Sequence, residues 1–112
     1  MSIPDHFRAR ASESRPPLEE ARSFLVAVTE DAVGPDEIRA QVRALVASHP
    51  ASVRRKLMAI ETVLGQEHPE GELTRFVGWD LNRALDDPTD AASAQWIADV
   101  ADIVREELES AD

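Results

Sequence analysis

The feature that most constrains this chain is an apolar stripe of helical period, cut into segments by proline and glycine. Leu18, Ala21, Leu25, Val28 and Ala32, widened by Phe24, return every three or four residues, as one buried face of a helix does. That helix should begin near Ser14, with Pro16 and Pro17 in its first turn, where a missing N–H costs nothing. Gly34-Pro35 should stop it. A second stripe, Ile38, Val42, Leu45 and Val46, is led by Asp36 and Glu37, which favour the positive end of a helix dipole. Ser48-His49-Pro50 breaks it. A third carries Val53, Leu57, Ile60 and Leu64, with Gly65 where a left-handed C-cap would fall. After a loop over 66–71, a fourth helix from about Glu72 to Leu85 turns Leu73, Phe76, Val77, Leu81 and Ala84 inward. Asp87-Pro88-Thr89-Asp90 then reads as an N-cap, a first-position proline and an acid, opening a fifth helix to about Leu108 along Ala94, Ile97, Ala101 and Val104.

Strand signals are missing: the chain has no Tyr, no Asn-Gly or Asp-Gly turn and no sustained β-branched alternation. The expected fold is therefore all-α, an antiparallel bundle of about five helices or a short helical solenoid. Its 112 residues suit one domain. Residues 1–15 read as a loose or partly ordered arm and 16–112 as a single helical domain.

Without cysteine, the chain has no disulfide, thiolate metal site or thiol nucleophile. His6, His49 and His68 are scattered, the last two ahead of prolines as turn residues, and no HxxxH or HExxH spacing occurs. The four glycines are isolated, so no phosphate-cradling loop is present, and no serine sits in a nucleophile elbow. No enzyme, metal or other cofactor is expected. No apolar run approaches the length of a membrane span, which leads to the expectation of a cytoplasmic protein.

Charge is polarised along the chain. Residues 1–60 hold nine Arg/Lys against eight Asp/Glu, a net of +1, whereas residues 61–112 hold three Arg against fourteen Asp/Glu, a net of −11. Such a half repels phosphate and anionic lipid and attracts basic partners from a distance, although a charge excess also serves solubility alone. With one Lys against eleven Arg and abundant alanine, the composition reads as high-GC bacterial coding bias.

Several residues stand out against this background. Asp80 falls inside the apolar arc of the fourth helix, so it needs an internal partner such as Arg22 or Arg83, or else faces a basic partner molecule. Trp79 and Trp96 lie off the centre of their stripes. They either pack on neighbouring helices or the arm, or they anchor an interface. Trp96 lines up with Val100, Ile103 and Glu107, a second edge that self-association could use. Asp86-Asp87-Pro88-Thr89-Asp90 matches the DDxxD pattern of isoprenoid synthases, but only over those five residues; its proline fits a helix start instead. Arg54-Arg55-Lys56, with Arg39 and Arg43, forms the one basic area. It reads either as a face pairing with the acidic half or as part of a helix-turn-helix over 36–64.

The stretch from Val53 to Leu108, with its short acidic helices, its Trp79-Asp80 step and its Asp87–Asp90 helix start, resembles small helical immunity proteins. These accompany bacterial polymorphic or contact-dependent growth-inhibition toxins. The resemblance implies a non-enzymatic protein that binds a toxin domain and blocks its active site. On that reading Asp80, Asp86, Asp87, Asp90, Asp99 and Asp102 supply charge toward a basic partner, with Trp79 and Trp96 as anchors. A DNA-binding regulator and a self-associating adaptor are the alternatives.

Overall fold

Proline sets the start of three helices here, by the same physics each time: its fixed φ suits the first turn and its missing N–H is one the helix would leave unused. The computed structural model describes residues 16–30, 32, 34–81, 85 and 89–111, and of Asp80 the backbone alone. The expected arm over 1–15, the helix continuation over 82–84, and Asp86, Asp87 and Pro88 lie outside the described residues. Helix α1 runs Pro17–Thr29, α2 Pro35–Ser48 and α3 Pro50–Gly65. A short α4, Glu72–Arg75, passes directly into a π-helical turn, Phe76–Asp80, and α5 runs Asp90–Ala111. No strand occurs among the described residues, and the fold is all-α.

Four boundaries differ from the sequence expectation, each for a local reason. α1 ends at Thr29 rather than at Gly34: the Thr29 hydroxyl donates to the Leu25 carbonyl at 2.6 Å, and Ala32 N–H turns back to Thr29 O at 3.1 Å. Gly65 closes α3 without a left-handed cap, because the next residue, Gln66, is already extended; the positive φ belongs to Gly71, at +86°. The fourth helix widens after one turn and ends at Asp80, with Leu81 N–H reaching Phe76 O five residues back at 3.0 Å. α5 begins at Asp90, with the Thr89 hydroxyl accepting Ala92 N–H at 3.1 Å, and the expected cap, Asp87, lies outside the described residues.

Between α2 and α3 the chain spends a single residue, His49. Its N–H closes α2 on Leu45 O at 2.7 Å and its carbonyl opens α3 from Val53 N–H at 3.1 Å. Both backbone groups of the linking residue are thus spent on the helices it joins.

α1 packs on α3, α2 on α5 and α3 on α5, while the short α4 leans on α5. Leu25, Val28, Val42, Ile60, Val63, Phe76, Val77, Ile97 and Val104 are buried between them. Each contributes about 1.5–3 kcal/mol by leaving water. Phe76 and Val77 belong to the π turn, so the widened turn is fixed by apolar packing on its inner side while its outer side faces solvent.

Candidate functional site

Among the described residues, two polar assemblies and an exposed tryptophan stand out beside the ion pairs Lys56–Glu20 and Arg105–Glu61. The first is the seam between α2 and α5. Arg39 and Arg43 stand one turn apart on α2 and converge on Glu107, which is 6% exposed. Arg43 Nε donates to Glu107 Oε1 at 2.8 Å, Arg39 Nη1 to Oε2 at 2.9 Å, and Arg39 Nη2 reaches Glu106 Oε1 at 2.6 Å. Hydrogen bonds from Arg43, then Arg39, hold the Glu107 carboxyl far below the usual carboxylate range, at about 2. Of the basic face expected to pair with the acidic half, Arg39 and Arg43 do so here. The same pairing takes Arg39 and Arg43 away from phosphate, and Lys56 is bound to Glu20 of α1 at 2.7 Å. α2 and α3 are joined by one residue, where DNA-reading helix pairs have a turn of three or four.

The second assembly is the corner where α3, α4 and α5 meet. α4 starts at Gly71, which has no side chain with which to cap it. Asp90, at the first position of α5, supplies the cap from outside. Its Oδ2 accepts Gly71 N–H at 2.7 Å, and its Oδ1 accepts both Thr74 N–H at 3.0 Å and the Thr74 hydroxyl at 2.7 Å. Gly71 and Thr74 are the cap and third positions of α4, so one carboxylate performs what two side chains do in a capping box. These bonds, first the one from Gly71, hold the Asp90 carboxyl below its ordinary value. Asp90 was expected to face a partner; it is instead engaged within the fold. His68 adjoins it, with Nδ1 2.5 Å from Glu72 Oε1 and Nε2 2.7 Å from the Val63 carbonyl. Sequence reading placed His68 in a plain turn. The His68–Glu72 spacing of four was a signal, obscured because the span is loop rather than helix.

The remaining candidates divide. Trp79 stands on the outer side of the π turn and is 83% exposed. Trp96 is half-buried against the core, and Val100, Ile103 and Glu107 beside it are buried, so the edge expected to serve self-association is spent inside the fold. Asp99 is exposed and accepts Gln95 Nε2 at 2.9 Å. Asp102 is exposed and meets Arg105, whose guanidinium also holds Glu61 on α3 at 2.8 Å. Asp99, Asp102, Glu106 and Glu109 follow at spacings of three and four, one exposed acidic face along α5. The side chains of Asp80, Asp86 and Asp87 lie outside the described residues.

Among the described residues no three His, Cys, Asp or Glu gather as a metal would need. None of the described helices is long and apolar enough to cross a membrane. Comparison with known proteins adds no identity to this geometry: no family model, curated protein or solved structure matches the chain.

Proposed function

We propose that this protein is a non-enzymatic, acidic protein-binding module that covers a basic partner, in the manner of an immunity protein on its toxin domain. The observation that carries the reading is Trp79. A tryptophan 83% exposed, where Phe24 and Phe76 are buried, is an apolar anchor without an internal use. Its setting supports the same reading. Residues 61–112 carry a net charge of −11, and the arginines from α2 offset part of it at Glu106 and Glu107 alone. On the exposed face of α5, Asp99 and Glu109 stand toward solvent, and Asp102 is exposed while paired with Arg105.

Mechanistically, the acidic half steers the encounter and Trp79 then enters a pocket on the partner, with exclusion of the partner's substrate by occupancy. Of the residues expected to act, Trp79, Asp99 and Asp102 keep that role here, and Asp80, Asp86 and Asp87 stay within the proposal. Asp90 and Trp96 act instead as parts of the scaffold.

The test uses the product of the adjoining gene as the partner and measures association by surface plasmon resonance. Raising salt from about 50 to 500 mM should slow association at least about tenfold, since exposed charges beyond a Debye length are screened. Trp79→Ala should speed dissociation with the on-rate little changed. An on-rate indifferent to salt together with a silent Trp79→Ala would reject the proposal.

A further inference from the structure

Both ring nitrogens of His68 face acceptors that can donate nothing. Nε2 meets the Val63 carbonyl at the end of α3, and Nδ1 meets the Glu72 carboxylate at the start of α4. A neutral imidazole has one N–H and one lone pair, so it can satisfy only one of the two. The arrangement as it stands requires the imidazolium.

The charged groups facing the ring are both acids: Glu72 from α4 and Asp90 from α5, while α3 contributes the uncharged Val63 carbonyl. Among the described residues no cation acts on the ring to replace the lost proton, and the side chain, 11% exposed, is largely closed to water. The ring therefore joins α3 to α4 beside the Asp90 cap that joins α4 to α5, and both ties lie in the run that leads straight into the π turn and Trp79.

We infer that His68 is a proton-operated latch: as the imidazolium it binds the end of α3 to the start of α4, and on losing its proton it releases one of them and loosens the corner that carries Trp79. The inference stands on the contacts of the corner and holds whichever partner Trp79 meets. Its direction follows from linkage. The Val63 carbonyl, with Glu72 and Asp90 behind it, raises the His68 proton affinity above the ordinary value. The folded corner thus binds the proton more tightly than the unfolded chain does. The stabilisation is complete below the unfolded value near 6.5 and is lost as pH rises through the folded one.

The experiment is an NMR titration of the intact chain from about pH 5 to 9, following the His68 ring, the Gly71 and Thr74 amides and the Trp79 indole, with amide exchange measured alongside. The latch requires a His68 midpoint above about 6.5. It also requires the Gly71, Thr74 and Trp79 signals to move with that midpoint, and exchange at Gly71 and Thr74 to rise at least about tenfold beyond the intrinsic base dependence above it. In His68→Gln, which keeps a single donor nitrogen and no proton to lose, those amides should already exchange fast at low pH and show no titration. A His68 midpoint at or below about 6.5 would overturn the inference. So would Gly71 and Trp79 signals indifferent to it, or a His68→Gln protein whose amides behave as in the parent.

Discussion

The α2–α5 seam and the α4 corner solve one problem, polar groups drawn between helices, with different materials. At the seam, side chain meets side chain: two guanidiniums share the Glu107 carboxylate. At the corner, side chain meets backbone: the Asp90 carboxylate takes the N–H groups that begin α4, and His68 takes the carbonyl of Val63 near the end of α3. The seam joins two long helices that also share apolar packing, so its charges refine an interface that already exists. The corner has a four-residue helix and a π turn to hold, too short to persist alone, and its polar ties specify the conformation together with Phe76 and Val77. The difference teaches where this molecule should be sensitive: to lost volume at the corner, to lost charge at the seam.

The largest effect should come from emptying the corner. Phe76→Ala removes a ring that is 2% exposed and should cost about 3–5 kcal/mol in urea denaturation. A loss under about 1 kcal/mol would mean that the π turn is not anchored by packing. Next comes the seam. Glu107→Gln leaves Arg43 without its counter-charge and Arg39 with Glu106 alone, and should lower the melting temperature by roughly 5–10 °C at pH 7. The parent itself should show the same loss on acidification. A carboxyl whose value is lowered from the ordinary 4.5 to about 2 stabilises fully above the first and no longer below the second. The Glu107→Gln penalty should therefore fade between those two pH values, and a penalty that persists at low pH would assign Glu107 a packing role only.

Asp90→Asn should act more gently, since an amide oxygen can still accept one of the α4 amides. A drop of about 4 °C is expected, with faster hydrogen exchange confined to Gly71 and Thr74. Exchange rising equally along α2 would show that the two regions unfold as one unit.

How much of this was legible depends on the range of the interaction. The apolar stripes of α1, α2, α3 and α5 reside in periodicity within each segment, so Leu25, Val42, Ile60 and Ile97 were readable as core. Pairing of the basic face with the acidic half was readable as a sum of charges, though not that Arg39 and Arg43 would meet on Glu107, 68 and 64 residues away. The widening after Arg75 was hidden, because Phe76, Val77 and Leu81 suit an α-helix as well as a π turn, and tertiary packing, including that on α1, selects between them. Asp90 was misassigned for a related reason. An acid at a helix start is ordinarily explained by its own helix, and nothing local shows that Gly71, 19 residues earlier, lacks a cap.

The smallest stability effect, and the sharpest functional one, is expected at the outer side of the corner. Trp79 projects into solvent from a turn whose inner side is fixed by Phe76 and Val77, so removing its side chain takes nothing from the core. Trp79→Ala should stay within about 0.5 kcal/mol of the parent in urea denaturation. The same variant should lose at least about tenfold in affinity for the basic partner, with the loss in dissociation rather than association, since the steering charge is untouched. Salt and sequence then separate the two contributions: ionic strength changes the on-rate of both proteins alike, and the tryptophan changes the off-rate at every salt concentration. A variant that is destabilised would place Trp79 with the scaffold beside Trp96. One that is stable and binds as the parent does would move the recognition surface away from the corner, onto the acidic face of α5.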